Sequence, residues 1–326
     1  MYRPFTALHF VLCAPALALA ADAPPIAPPA DLPAIPAEPA VATPAKVEAT
    51  PEQPPPEPAA IPAKTEPSPA QRELQALITR QQLLLATAAT KENNPNFDEE
   101  NLRAKMQDLV FDYDAYLKKY PDLAAGYAAY GVLLGKIDMR RQSAAMLLKA
   151  NQLDPNLPLV KNQLGNYLAE DGKPLEALNY FLSAIKLEPN EPLYHYQLGT
   201  LLTEARDDFL KSGEWQRPAL DRAMREAFRR AAELAPNRIE FTYRYGESFY
   251  DLENPDWDGA LKVWGALEER LQPGLEQETV RLHAVNILIK QGKFDHARAL
   301  LATVTAPPLA KQKEKLVAQL AETEKK

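Results

Sequence analysis

Glycine, alanine and proline recur in this chain at a spacing that a single globular core would not require. Gly131, Ala150 and Pro155 are followed by Gly165, Ala177, Phe181, Ala184 and Pro189, then by Gly199, Phe228, Ala231 and Pro236. Pro155 and Pro189 stand 34 residues apart. That period holds one helical hairpin, which is too small to bury its own apolar flank, so such a chain folds only by stacking hairpin on hairpin.

The clearest copy runs from Pro158 to Asn190. Leu164, Gly165 and Leu168 fall on one face of a first helix, and Ala177, Phe181 and Ala184 repeat at helical spacing on a second. Between them, Asp171-Gly172-Lys173-Pro174 makes a turn. Gly172 suits the left-handed cap, Pro174 suits the first helical position, and Pro189 stops the second helix. Small residues at Gly165 and Ala177 let the two backbones approach, and Phe181 fills the space beside them.

These residues resemble the tetratricopeptide repeat. The resemblance implies an all-α fold, a right-handed superhelical stack of antiparallel helix hairpins, in which first helices line a concave face. It covers about residues 124–304. The copy at Ala124 to Asn156 keeps Gly131, Leu134, Leu147, Ala150 and Pro155, with Ser143 in place of the usual alanine. In the third copy Gly199 and Pro236 are 13 residues further apart than Gly165 and Pro189. The extra residues fall around Arg206 to Arg217 and are expected to lengthen both helices, and Met224 takes the alanine place. A fourth copy reads Tyr245, Gly246, Phe249, Ala260 and Trp264, with Asn254-Pro255-Asp256 as its turn. A fifth, with Leu288, Gly292, Ala297 and Leu301, lacks the first-helix glycine.

Outside the repeats the composition changes. Residues 1–20 read as a secretory signal, with Arg3, an apolar run from Leu8 to Leu19 and small residues at Ala18 and Ala20, and cleavage is expected after Ala20. The run is shorter than the ~20 residues of a spanning helix. Leu12 before Cys13, the only cysteine, argues against a lipidated signal, so the mature chain would carry no thiol. Residues 21–70 form a Pro/Ala-rich linker that holds seven acids against Lys46 and Lys64. With few large side chains to bury, this linker is expected to be disordered, a tether reaching on the order of 150 Å at most. Residues 71–123 read as an N-terminal helical hairpin, either a cap or a degenerate repeat. Residues 124–306 hold the repeats with the insertion near 206–218, and 307–326 a C-terminal capping helix.

No catalytic constellation is present in the sequence: no serine elbow, no His-Glu-x-x-His, no phosphate loop and no dinucleotide fingerprint. His195, His283 and His296 lack zinc-site spacing and read as partly exposed helical residues. No enzyme activity, cofactor or metal is therefore expected. From Gln71 onward the chain is close to neutral and has no basic stripe, which argues against nucleic acid.

The resemblance places the candidate contacts on the first helices at Asn162, Gln163 and Asn166; Tyr196, Gln197 and Thr200; Tyr243, Arg244 and Glu247; and His283 with Asn286. Amides can donate to and accept from an extended peptide, and tyrosine offers an apolar body with a polar tip. Asn166 matches a position of the carboxylate clamp found in some members, but Asn162 stands where that clamp needs lysine. Trp215, in the insertion, is a second candidate surface. The function expected is a non-enzymatic scaffold of the cell envelope, periplasmic or secreted, that binds protein or peptide partners. The alternative is a structural assembly that associates with copies of itself.

Overall fold

The structure, a computed structural model, describes residues 66–91 and 97–325. The signal and nearly all of the proline-rich linker lie outside the described residues. Within them there are fourteen α-helices and no strand. The chain divides into two compact units, one ending at Leu187 and the other starting at Glu188.

The first unit holds α1 (Pro69–Ala89), α2 (Glu99–Lys119), α3 (Ala124–Lys136), α4 (Arg140–Leu153), α5 (Pro158–Glu170) and α6 (Pro174–Leu187). Ser68 starts α1 through a capping box with Gln71, and Asp98 starts α2 by accepting from the Asn101 amide at 2.9 Å. Leu74, Leu84, Met106, Leu109 and Tyr113 form the core between these two helices. Gln81 is buried among them because the Tyr113 hydroxyl donates to its Oε1 at 2.7 Å, and the Tyr113 ring stacks on Tyr130 of α3 at 5.2 Å. α3 pairs with α4 and α5 with α6, and α4 packs on α5. Ser143 is buried on α4, where its hydroxyl donates to the Gly131 carbonyl at 2.6 Å and lies 2.7 Å from the Tyr167 hydroxyl. The serine therefore keeps the alanine-sized space and adds a tie between two hairpins.

The second unit holds α7 (Pro192–Glu204), α8 (Arg206–Lys211), α9 (Arg217–Leu234), α10 (Ile239–Ser248), α11 (Trp257–Glu268), α12 (Leu275–Lys290), α13 (Phe294–Ala302) and α14 (Ala310–Thr323). α7 pairs with α9, α10 with α11 and α12 with α13, and α14 packs on α12. The insertion does not lengthen both helices of its copy. α7 has 13 residues, as α5 has, while α9 grows to 18 against 14 in α6, and the six-residue α8 forms separately around Phe209. Phe209 is fully buried, and that gives this short helix its anchor.

One contact recurs through both units. A Cβ added to Gly131 would meet Leu147, to Gly165 Phe181, to Gly199 Phe228 and to Gly246 Trp264, all within about 3 Å. The partners are 16 residues apart in the first two pairs, 29 in the third and 18 in the fourth. The insertions thus lie wholly between the partners and leave the close approach of each hairpin intact. In the fifth copy Val285 stands 16 residues before Leu301, both are buried in one cluster, and the smaller leucine makes room for a side chain where the others need glycine.

The insertion is clamped to the next copy by Asp221 of α9, only 6% exposed. Its Oδ1 accepts from Arg217 Nε and its Oδ2 from the Glu253 amide, both at 2.7 Å, while Arg217 Nη2 donates to the Asp251 carbonyl at 2.6 Å. At the C-terminal end Leu309, Leu316 and Leu320 cover Leu282, Val285 and Ile289, and the Glu278 carboxylate accepts from the amides of Thr305 and Ala306.

Candidate functional site

In the first unit the three amide residues of α5 have different surroundings. Asn162 was expected to be a non-packing position, but it is 0% exposed and so cannot touch a partner in this conformation. Neither its Oδ1 nor its Nδ2 has a hydrogen-bond partner. Gln163 and Asn166 are half-buried and open to contact. Lys161 is also buried, with its amine 5.5 Å from the Tyr180 ring centre, and burial holds its pKa below the usual lysine value. A buried amide without partners costs about 1–3 kcal/mol. Asn162→Leu, similar in volume, is expected to raise the stability of this unit by about 1 kcal/mol or more, read by urea denaturation. An unchanged or lower midpoint would mean that the amide is satisfied in solution.

In the second unit the corresponding row is occupied mostly by internal contacts. Tyr196 lies between Phe228 and Phe241, at 5.8 and 5.1 Å. Burial raises its pKa, Arg244 counters this, and Glu247, Glu240 and Glu204 add to it, so one cation and three carboxylates bear on this hydroxyl. The Thr200 hydroxyl donates to the Tyr196 carbonyl at 3.0 Å, and Gln197 Oε1 is buried without a partner. Arg244 lies with its guanidinium 4.5 Å from the Phe228 ring centre. It donates to Thr203 Oγ1 at 3.2 Å and to Asp251 Oδ2 at 3.4 Å. Glu247 is half-buried.

Tyr243, His283 and Asn286 belong to one buried group. The imidazole of His283 stacks on Trp264 with ring centres 4.2 Å apart and is 7% exposed, not a partly exposed helical histidine. The Tyr243 hydroxyl is 2.6 Å from His283 Nε2, and the Tyr243 ring meets Trp264 edge-on. Asn286, 8% exposed, accepts from Gln319 Nε2 of α14 at 3.3 Å. The sequence points to first-helix positions but gives no sign that Trp264, Tyr250 and Gln319 would use up their polar groups. Tyr250 stands seven residues after Tyr243, two helical turns along the same face, and that spacing is the signal that could have found it.

Trp215 is half-buried and meets Phe209 edge-on at 5.8 Å, so the insertion presents only part of the indole. An open apolar groove of about 470 Å³, lined by Leu288, His296, Ala299, Leu300 and Thr303, lies on α12 and α13. Among the described residues no cluster of His, Cys, Asp or Glu could hold a metal ion, and no helix is long and apolar enough to cross a membrane.

No protein-family model matches the sequence. No curated protein matches it. Solved structures do match. YrrB, described as a TPR protein with an unusual peptide-binding site, is 18% identical with a TM-score of 0.50, over 66% of this chain and 98% of its own. PilF of Pseudomonas aeruginosa is 15% identical with a TM-score of 0.51, over 72% of this chain and 91% of its own. The fold is that of a TPR-like helical-repeat solenoid.

Proposed function

We propose that this chain is a non-enzymatic protein–protein interaction scaffold of the cell envelope, which binds an extended peptide or a protein segment along its first helices. The observation that carries this reading is the amide row of α5, where Gln163 and Asn166 are half-buried with polar tips in reach. Primary amides donate and accept at once, so a row of them can pair with the backbone of an extended segment whatever its side chains. The likeness to YrrB, itself described as carrying a peptide-binding site, supports the same reading. The signal-like N-terminus and the linker support a place in the periplasm or outside the cell.

The test is a crosslinking capture from envelope extract with the full chain, comparing wild type with a Gln163→Ala, Asn166→Ala double variant. Both residues are partly open, so the variant is expected to stay folded, as checked by circular dichroism. Capture of a specific partner that the folded variant loses by about tenfold or more, the effect of removing about 1.4 kcal/mol, supports the reading. Equal capture by both proteins overturns it.

A self-associating assembly is the second reading. It is favoured by Phe111 of α2 and Leu83 of α1, which are 69% and 66% exposed. Light scattering of the full chain separates the two, because a monomer whose mass does not change with concentration excludes self-association.

A further inference from the structure

The hydrogen bonds around His283 have a single consistent direction. The Tyr250 hydroxyl donates to the His283 carbonyl at 3.2 Å, which uses its one proton. Its oxygen is 3.4 Å from His283 Nδ1, so there the ring nitrogen must be the donor. Nδ1 therefore carries the proton, Nε2 is the acceptor, and the Tyr243 hydroxyl donates to it at 2.6 Å. Asn286 also bonds to Tyr250, in the sense that lowers the phenol's pKa, which makes the amide the donor. This leaves Asn286 Oδ1 to accept from Gln319 of α14. The chain Tyr243–His283–Tyr250–Asn286–Gln319 thus links α10, the 3-10 turn at Phe249–Asp251, α12 and α14, with each proton spoken for.

A second proton on the imidazole has no place in this order. Nε2 would become a donor facing the Tyr243 O–H, which would have to turn its own proton elsewhere. The titratable groups that face the network are Tyr243 and Glu247 of α10 and Tyr250 of the turn, and Glu247 raises the pKa of both tyrosines. α11 contributes the Trp264 indole and α14 the Gln319 amide, neither of which titrates. The indole face would favour an imidazolium. Burial outweighs it, pushing His283 down to about 4.

We propose that this directional chain is an acid-sensitive lock, in which protonation of His283 breaks the order of the network and loosens α14 from α12 together with the turn that carries Tyr250. The unfolded or opened segment protonates near the ordinary histidine value of 6.5, while the closed one resists until about 4. Between those values the open form binds more protons, so the lock is intact above about pH 6.5 and weakens as pH falls through the window.

Hydrogen exchange of the full chain at pH 7 and pH 5, corrected for intrinsic rates, tests this. Protection in α14 and in the Phe249–Asp251 turn should fall by roughly twentyfold, the ratio those two proton affinities set, with α3 to α6 as internal reference. In His283→Gln, which cannot gain the proton, this loss should disappear. Flat protection of α14 in the wild type, or an equal acid loss in the variant, overturns the proposal. Should the variant not fold, nitrogen chemical shifts of the wild-type imidazole decide. The Nδ1–H tautomer at pH 7 with a midpoint well below 6.5 supports the lock, and an Nε2–H tautomer or an ordinary midpoint rejects it.

Discussion

Gly246→Val is expected to lower the unfolding free energy of the second unit by about 3 kcal/mol, while Gly265→Ala raises it by roughly 0.5–1 kcal/mol. A Cβ at position 246 would stand 2.6 Å from Trp264 Cζ2, with two more indole atoms within 3 Å. Trp264 is fully buried, stacked on His283 on one side and met edge-on by Tyr243 on the other, so the ring cannot move aside. At Gly265, in the middle of α11, an added Cβ meets nothing within 4 Å, and alanine simply gains helix propensity. Opposite signs from two glycines in adjacent helices separate packing from propensity. Urea unfolding followed by tryptophan fluorescence measures both, and a shift of the same sign at the two sites would show that Trp264 is not held as described.

Asp221→Ala should destabilise the same unit by about 3 kcal/mol. The carboxylate is buried and holds two partners, so its removal leaves the Arg217 guanidinium and the Glu253 amide without their acceptor at once. Asp221→Asn keeps the shape and one acceptor oxygen and should lose less. The difference between the two variants in thermal unfolding isolates the charge. Equal and small effects would mean that the clamp is made through Arg217 and the Asp251 carbonyl alone.

The contrast between these two sites shows what the sequence makes legible. The glycine of each first helix and the large side chain of each second helix are visible because the period repeats them, and the structure brings each pair together. Phe209 and the short α8 were not legible, because six residues carry no period and one buried ring decides their conformation. Asp221 lies outside every repeat pattern, and its role depends on where the Asp251–Glu253 segment ends up in space. On the candidate row the residue types were readable but their exposure was not. Asn162, Asn166 and Asn286 look alike in sequence. One is sealed without partners, one is half-open, and one is bonded to α14. A polar side chain on a first helix is free only if no neighbour, such as Gln319, reaches it, and that neighbour lies 33 positions away in the case of Asn286.

The third copy carries its additional residues between Gly199 and Phe228, two side chains that still meet. A helical pair that tolerates a lengthened partner and a detour through α8 while keeping that one touch point works like a hinge pin with interchangeable leaves. Sequence can be spliced in on one side of the pin without disturbing the stack above or below it. The stretch from Arg206 to Gln216 is thus the place where descendants of this chain can acquire new surface at least risk to folding, and where a foreign epitope or tag could be carried internally.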